Sequence, residues 1–220
     1  MILYHGSKII VDKPLFRHGK RENDYGEGFY CTEDIELARE WACQNPAGGF
    51  VNCYEIDEDN LKIFEFDSKD IVIWLAVLLS NRKVRYSNPI EKKIGDYLIE
   101  NLAIDLSKYD MIKGYRADDS YFAFVRSFLA NTITIEQLGK AMELEELGWQ
   151  ICLKSRKSFE LIRYAGCEPI NGDEYYPKWI KRDSTAREGY YKLLESDVKS
   201  GIYARDILDK EMTADELRIQ

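Results

Sequence analysis

This chain lacks an excess of positive charge, has little histidine and holds no paired cysteine motif, and each shortage weighs against a class of function. Across 220 residues, 31 Lys and Arg stand against 39 Asp and Glu, for a formal charge of -8. A protein that tracks nucleic acid draws its affinity from Lys and Arg on phosphates, so this balance disfavours that class while leaving room for a local basic groove. Only His5 and His18 are present, which excludes a metal site built on several histidines. Cys31, Cys43, Cys53, Cys152 and Cys167 form an odd set without a CxxC pair, and they are expected to be reduced, buried thiols rather than disulfides or zinc ligands. The longest apolar run, Ile71 to Leu79, has nine residues, where a membrane helix needs about twenty. The first residues lack the basic start and long apolar stretch of a signal peptide, so a cytoplasmic protein without a membrane partner is expected. There is no GxxxxGK(S/T) phosphate loop, GxSxG elbow or HExxH helix, and Gly26-Glu27-Gly28 runs into Phe29-Tyr30-Cys31 without the third glycine of a dinucleotide fingerprint. Internal repeats and low-complexity tracts are missing too.

What remains is an ordinary globular composition, 45% hydrophobic and 13% aromatic, long enough for one large domain or a domain with an appended element. Strands are expected at Ile2 to His5, Phe50 to Ile56, Leu61 to Phe66, Tyr109 to Tyr115 and Trp149 to Leu153. Helices are expected after Thr32, which can cap, over Asp70 to Ser80, after Asn88-Pro89, over Tyr121 to Leu129 and Ile135 to Leu147, and over Tyr176 to Lys199. Thr213 and Glu216 have the spacing of a capping box for a last short helix. In the strand beginning at Trp149, alternation sends Trp149, Ile151 and Leu153 to the core and leaves Gln150 to face a cleft. Strands and helices mix without regular alternation, which predicts an α+β fold. Pro169, Gly172 and Pro177 mark a boundary, giving a domain over residues 1–165 and a helical extension over 166–220 packed on it.

Two short segments carry chemistry. In Tyr4-His5-Gly6-Ser7, a strand ending in His-Gly sets an imidazole at a pocket rim while a side-chain-free backbone approaches a planar amide. In Asp24-Tyr25-Gly26-Glu27-Gly28-Phe29-Tyr30-Cys31-Thr32, an aromatic ring follows a flexible turn and precedes a helix start. Together they suit a nicotinamide, its amide on the Gly6 backbone and its ring against Tyr30. Taken singly, His5 and Tyr30 read better as a satisfied strand-end histidine and a core aromatic beside Trp41. The loop between the segments holds Lys13, Arg17, Lys20 and Arg21 beside Phe16 and Tyr25, a composition able to steer an anionic substrate.

These segments, followed by AREWA (38–42), ADDSYF (117–122) and LGWQICLKS (147–155), resemble in order and spacing the ADP-ribosyltransferase superfamily. The likeness is to its diphtheria-toxin-like branch, with His, Tyr and usually Glu on three separated strands, and to a bacterial family of that kind known from gut and phage-defence gene clusters. It covers residues 1–165, and RDSTAREGYYKLL (182–194) fits it as well. The resemblance implies a split mixed and antiparallel sheet with flanking helices and an enzyme of the glycosyltransferase class. NAD would be its substrate, with no metal, and a protein or nucleic-acid acceptor would receive ADP-ribose. It also implies a toxin or defence effector, with a small antitoxin as a possible partner. His5 would bond a ribose hydroxyl, Gly6 the carboxamide, and Tyr30 would stack on the nicotinamide, with Ser7 and Thr32 adding hydrogen bonds. The third position falls on Gln150, which lacks the charge to stabilise a cationic transition state, a term of about 4 kcal/mol for a pair 4 Å apart at an effective dielectric near 20. Asp118 and Asp119 are the leading substitutes, with Glu145 and Glu146 behind them. Two alternatives stay open: a catalytically inactive binding module that kept the fold, and an NAD glycohydrolase that uses water as acceptor.

Overall fold

A computed structural model describes residues 1–117, 119–144, 149–195 and 200–218. Among them the chain builds two sheets and eight α-helices, an α+β arrangement as expected. Strands β1 (Ile2–Ser7), β3 (Gly49–Glu55) and β7 (Arg163–Ile170) form an antiparallel sheet in the order β1-β3-β7. Strands β2 (Phe29–Cys31), β6 (Trp149–Leu153), β5 (Met111–Tyr115) and β4 (Ile63–Glu65) form a second sheet in the order β2-β6-β5-β4, antiparallel except for the β4-β5 pair.

Three cores order the layers. Helix α1 (Ile35–Ala42) lies on the three-stranded sheet through Ala38, Ala42 and Val51, with Ile170 and Tyr175. Between the sheets, Leu3 and Tyr54 meet Cys31, Met111, Ile151 and Leu153. Beyond the four-stranded sheet lies the main core, centred on α2 (Ile71–Asn81), in which every residue from Ile71 to Leu79 is buried. A helix apolar on all sides has to sit inside, and α3 (Pro89–Leu102), α4 (Asp119–Leu129) and α5 (Ile135–Met142) contribute to the core around it. Helix α6 (Arg156–Leu161) follows β6. The C-terminal helices α7 (Gly172–Glu195) and α8 (Ala204–Asp209) add Ala186, Tyr190, Ala204 and Ile207 to the same core.

Several expectations are corrected. Asp34, not Thr32, caps α1, accepting from the Glu36 and Leu37 amides at 2.8 and 3.3 Å. Trp149 is 38% exposed and stacks on Tyr115 at the open end of β6 instead of entering the core. The Thr213 amide and hydroxyl both donate to Glu216 Oε2 at 2.8 Å, one side of the expected box, and the segment stays a turn. Cys53 is half-buried and Cys167 exposed, whereas Cys31, Cys43 and Cys152 are buried thiols. Strand β7 lies outside the expected elements, and β2 is expected only through the resemblance, which sets its Tyr on a strand. β7 runs across residue 165, so the proposed boundary falls inside a strand rather than in a linker. It is an edge strand with mostly exposed side chains, where Pro169 is tolerated and Gly166 at φ 131° accompanies a register shift against Cys53 and Tyr54.

Candidate functional site

β1 and β2 belong to different sheets and touch at one antiparallel bridge, where the Tyr4 amide donates to the Thr32 carbonyl at 2.8 Å and the Thr32 amide returns a bond at 2.9 Å. Past this bridge the strands part, and a cleft of about 970 Å³ opens, lined by His5 and Gly6 on one side and Gly28, Phe29 and Tyr30 on the other. That is the upper range of small-molecule sites, roughly 300 to 1,000 Å³.

His5 Nδ1 lies 2.7 Å from the Tyr30 carbonyl oxygen. A carbonyl only accepts, so the assigned tautomer carries its proton on Nδ1, and Nε2 is left as an acceptor. Burial holds the imidazole below its usual pKa, against the weaker upward pull of the Tyr30 carbonyl, which favours this neutral form. Gly6 is fixed by packing as well as by any ligand: a Cβ there would fall 2.7 Å from Trp41 Cβ and into the backbone of α1. Tyr30 donates from its hydroxyl to the Gly26 carbonyl at 2.6 Å and accepts from the Tyr25 amide at 3.0 Å. Its ring lies parallel to that of Tyr25, with centroids 6.5 Å apart. Burial raises the Tyr30 phenol well above its ordinary value, so it stays protonated.

Gln150 faces the cleft as the alternation of β6 predicts, but it is only 4% exposed. Its Nε2 donates to Asp24 Oδ2 at 2.6 Å and to the Tyr115 carbonyl at 2.9 Å. Both neighbours are acceptors, which settles which end of the amide faces them. Asp24 also accepts from the Ala117 amide at 2.8 Å and pairs with Arg82 Nε at 2.7 Å.

The loop between β1 and β2 forms one rim through Lys13, His18 and Lys20. It is anchored at Phe16, whose ring meets Phe159 edge-on at 5.5 Å and lies 5.3 and 5.2 Å from the guanidiniums of Arg17 and Arg156. Arg82 and Arg116 line the interior, and Arg116 stands 5.0 Å over the ring of Trp41. From the C-terminal extension, α7 adds Trp179 and Asp183. Its neighbour Arg182 pairs with Glu40 of α1 at 2.7 Å, which holds α7 against that wall. Four Lys and Arg thus face two carboxylates, a local positive excess in a chain of charge -8.

Of the sequence candidates, His5, Gly6, Tyr30 and Gln150 share this cleft. Ser7 and Thr32 are not among its lining residues: the Ser7 hydroxyl bonds the Ile9 carbonyl and accepts from Asn52, and Thr32 Oγ1 accepts from the Asp34 amide. Asp118, Glu145 and Glu146 lie outside the described residues, as does the side chain of Asp119, whose backbone begins α4. Asp24, Arg82, Arg116 and Trp41 are cleft residues that the sequence reading passed over, and Trp179, an aromatic suited by sequence to a protein partner in a non-catalytic binding module, lines the cleft instead. Asp24 had one signal, an acid directly before the Tyr-Gly turn. Among the described residues no group of three or more His, Cys, Asp or Glu is placed to hold a metal.

A family model described as "Protein of unknown function (DUF3990)" matches residues 1–164. No curated protein and no solved structure matches the chain.

Proposed function

The chain belongs to the DUF3990 family, and from the geometry of its cleft we propose that it is an NAD-dependent mono-ADP-ribosyltransferase acting on a macromolecular acceptor. The observation that carries this reading is the convergence of His5, Gly6, Tyr30 and Gln150, spread over 145 residues of sequence, on one cleft. Neutral His5 presents Nε2 as an acceptor for a ribose hydroxyl. The Gly6 main chain meets the carboxamide, and the Tyr30 ring, fixed through its hydroxyl, offers a face to the nicotinamide. Lys13, Lys20, Arg82 and Arg116 suit the pyrophosphate, and Trp41 and Trp179 give aromatic surface for a base. Ser7 and Thr32 act in this reading through the turns they fix. A pair of sheets that part at the site agrees with the split sheet of such enzymes. The toxin or defence role and a small antitoxin partner belong to the same proposal.

Glutamine at the third position favours a second reading, a non-catalytic NAD-binding module. Calorimetric titration with NAD tests the core of the proposal: binding to the unmodified protein, weakened at least about tenfold, or 1.4 kcal/mol, in His5→Ala and in Tyr30→Ala. No binding, or binding indifferent to both changes, overturns it. Labelled NAD incubated with cell lysate then separates the outcomes. Label on macromolecules marks the transferase, free ADP-ribose alone marks a glycohydrolase, and unconsumed NAD marks the binding module.

A further inference from the structure

The cleft wall contains one buried carboxylate whose place is fixed by its surroundings. Asp24 is 3% exposed. Its Oδ2 accepts from the Ala117 amide and Gln150 Nε2, and its Oδ1 faces Arg82 Nε. The backbone around it is held from several directions. Asn81 at the end of α2 donates to the Asp24 carbonyl at 3.4 Å. Lys154, beyond β6, donates to the carbonyls of Tyr25 and Glu27. The Tyr25 hydroxyl donates to the Tyr115 carbonyl at 2.6 Å and receives the indole N–H of Trp74 at 3.1 Å.

The same contact explains glutamine at position 150. Both of its amide hydrogens point at groups that only accept. A glutamate would set carboxylate oxygens against the Asp24 carboxylate and the Tyr115 carbonyl, and two carboxylates in contact do not both ionise. A charge at 24 and a donor at 150 therefore require one another.

We propose that Asp24 supplies the fixed negative charge of the cleft and that Gln150 is its positioning residue, so that the carboxylate sits on the loop before β2 and not on β6. This rests on the NAD reading. With water as acceptor, the bond from ribose C1′ to the nicotinamide nitrogen breaks, and its electron pair leaves with nicotinamide, cancelling the ring's positive charge. Water oxygen bonds to C1′ and one of its protons is released, leaving ADP-ribose, nicotinamide and a proton. Positive charge builds on the ribose between the two events, and a carboxylate already oriented stabilises it without reorganising. Burial pushes the Asp24 carboxyl upward, while Arg82, the Ala117 amide, Gln150 and Arg116 act against that rise.

The test compares Asp24→Asn, Gln150→Glu and the double exchange with the unmodified protein, by NAD calorimetry, nicotinamide release against pH, and urea unfolding of the ligand-free chains. Asp24→Asn is expected to bind NAD within about threefold of the unmodified protein but to release nicotinamide about 100-fold more slowly. It also loses the acid limb that ionisation of Asp24 gives the pH profile, above the ordinary carboxylate value near about 4. Gln150→Glu is slow at neutral pH. The double exchange, with an amide at 24 beside a carboxylate at 150, returns one charge to the pair but still sets that carboxylate against the Tyr115 carbonyl, so it recovers at least about tenfold over Asp24→Asn and stays below the unmodified protein. Without ligand, the stability that Asp24 contributes is full below the unfolded carboxyl value and is lost as pH rises through the higher folded value, a slope Asp24→Asn lacks. Unchanged turnover in Asp24→Asn with NAD still bound overturns this inference and leaves the NAD reading intact. If Asp24→Asn does not fold, the double exchange decides: folded and active supports the pairing, and folded without turnover, or unfolded while Gln150→Glu folds and turns over normally, overturns it. Failure of the unmodified protein to bind NAD strikes the reading itself, and the inference falls with it.

Discussion

The His5 ring does two jobs with two nitrogens: Nδ1 closes the gap between the diverging strands by bonding the Tyr30 carbonyl, and Nε2 is what the cleft receives. Protonation would turn that acceptor into a donor and put a charge where burial opposes one. Since the folded pKa is depressed, the stability this group contributes is present above the unfolded histidine value, about 6.5, and is lost as pH falls through the folded value. Urea unfolding is therefore expected to show a loss of stability between pH 7.5 and pH 5 that is smaller in His5→Gln, and NAD affinity should decline over the same acidic range. An acid slope identical in the variant would assign the titration to another group. At this scale the sequence exposed His5 and Tyr30 because they sit beside glycines in short, dense motifs. It hid Asp24, whose partners Arg82, Ala117 and Gln150 are remote along the chain, 126 residues away for Gln150.

Among the elements, the β1 and α1 contact is the most exacting. Gly6 lets α1 approach so closely that Trp41 reaches the cleft, so Gly6→Ala has to move a helix and not merely fill a gap. Overpacking of this kind costs about 1 to 3 kcal/mol, read as a lower urea midpoint at constant slope, together with weakened NAD binding because Trp41 shifts with the helix and leaves its place under Arg116. A variant with an unchanged midpoint would show that α1 yields freely. Elements with strong periodicity or clear caps were legible: β6 has the expected bounds Trp149–Leu153, and Asn88 caps α3 through the Ile90 and Glu91 amides. β2 is too short, at three residues, to show alternation, and β7 exposes most of its side chains and buries only Ile170, so neither leaves a hydrophobic signature.

For the molecule as a whole, the C-terminal extension is part of the core and not an attachment to it. Tyr190, Ile207 and Leu217 are buried in the main cluster, and Arg218 pairs with Asp70 at the start of α2 at 2.9 Å. Three such side chains, at about 1.5 to 3 kcal/mol each, approach the 5 to 15 kcal/mol net stability of a typical domain. A chain ending at residue 171 is thus expected to lack a cooperative urea transition, and a sharp transition would make residues 172–220 a separable unit. The family match ends at 164, yet α7 reaches back to wall the cleft with Trp179. That wall has an optical side. Of the four tryptophans, Trp41 and Trp179 border the cleft, Trp74 is sealed in the core and Trp149 lies at the outer end of β6. The chain therefore carries its own emitters: two placed to sense whatever enters the cleft and one shielded as an internal reference, so occupancy can be followed by intrinsic fluorescence without a label.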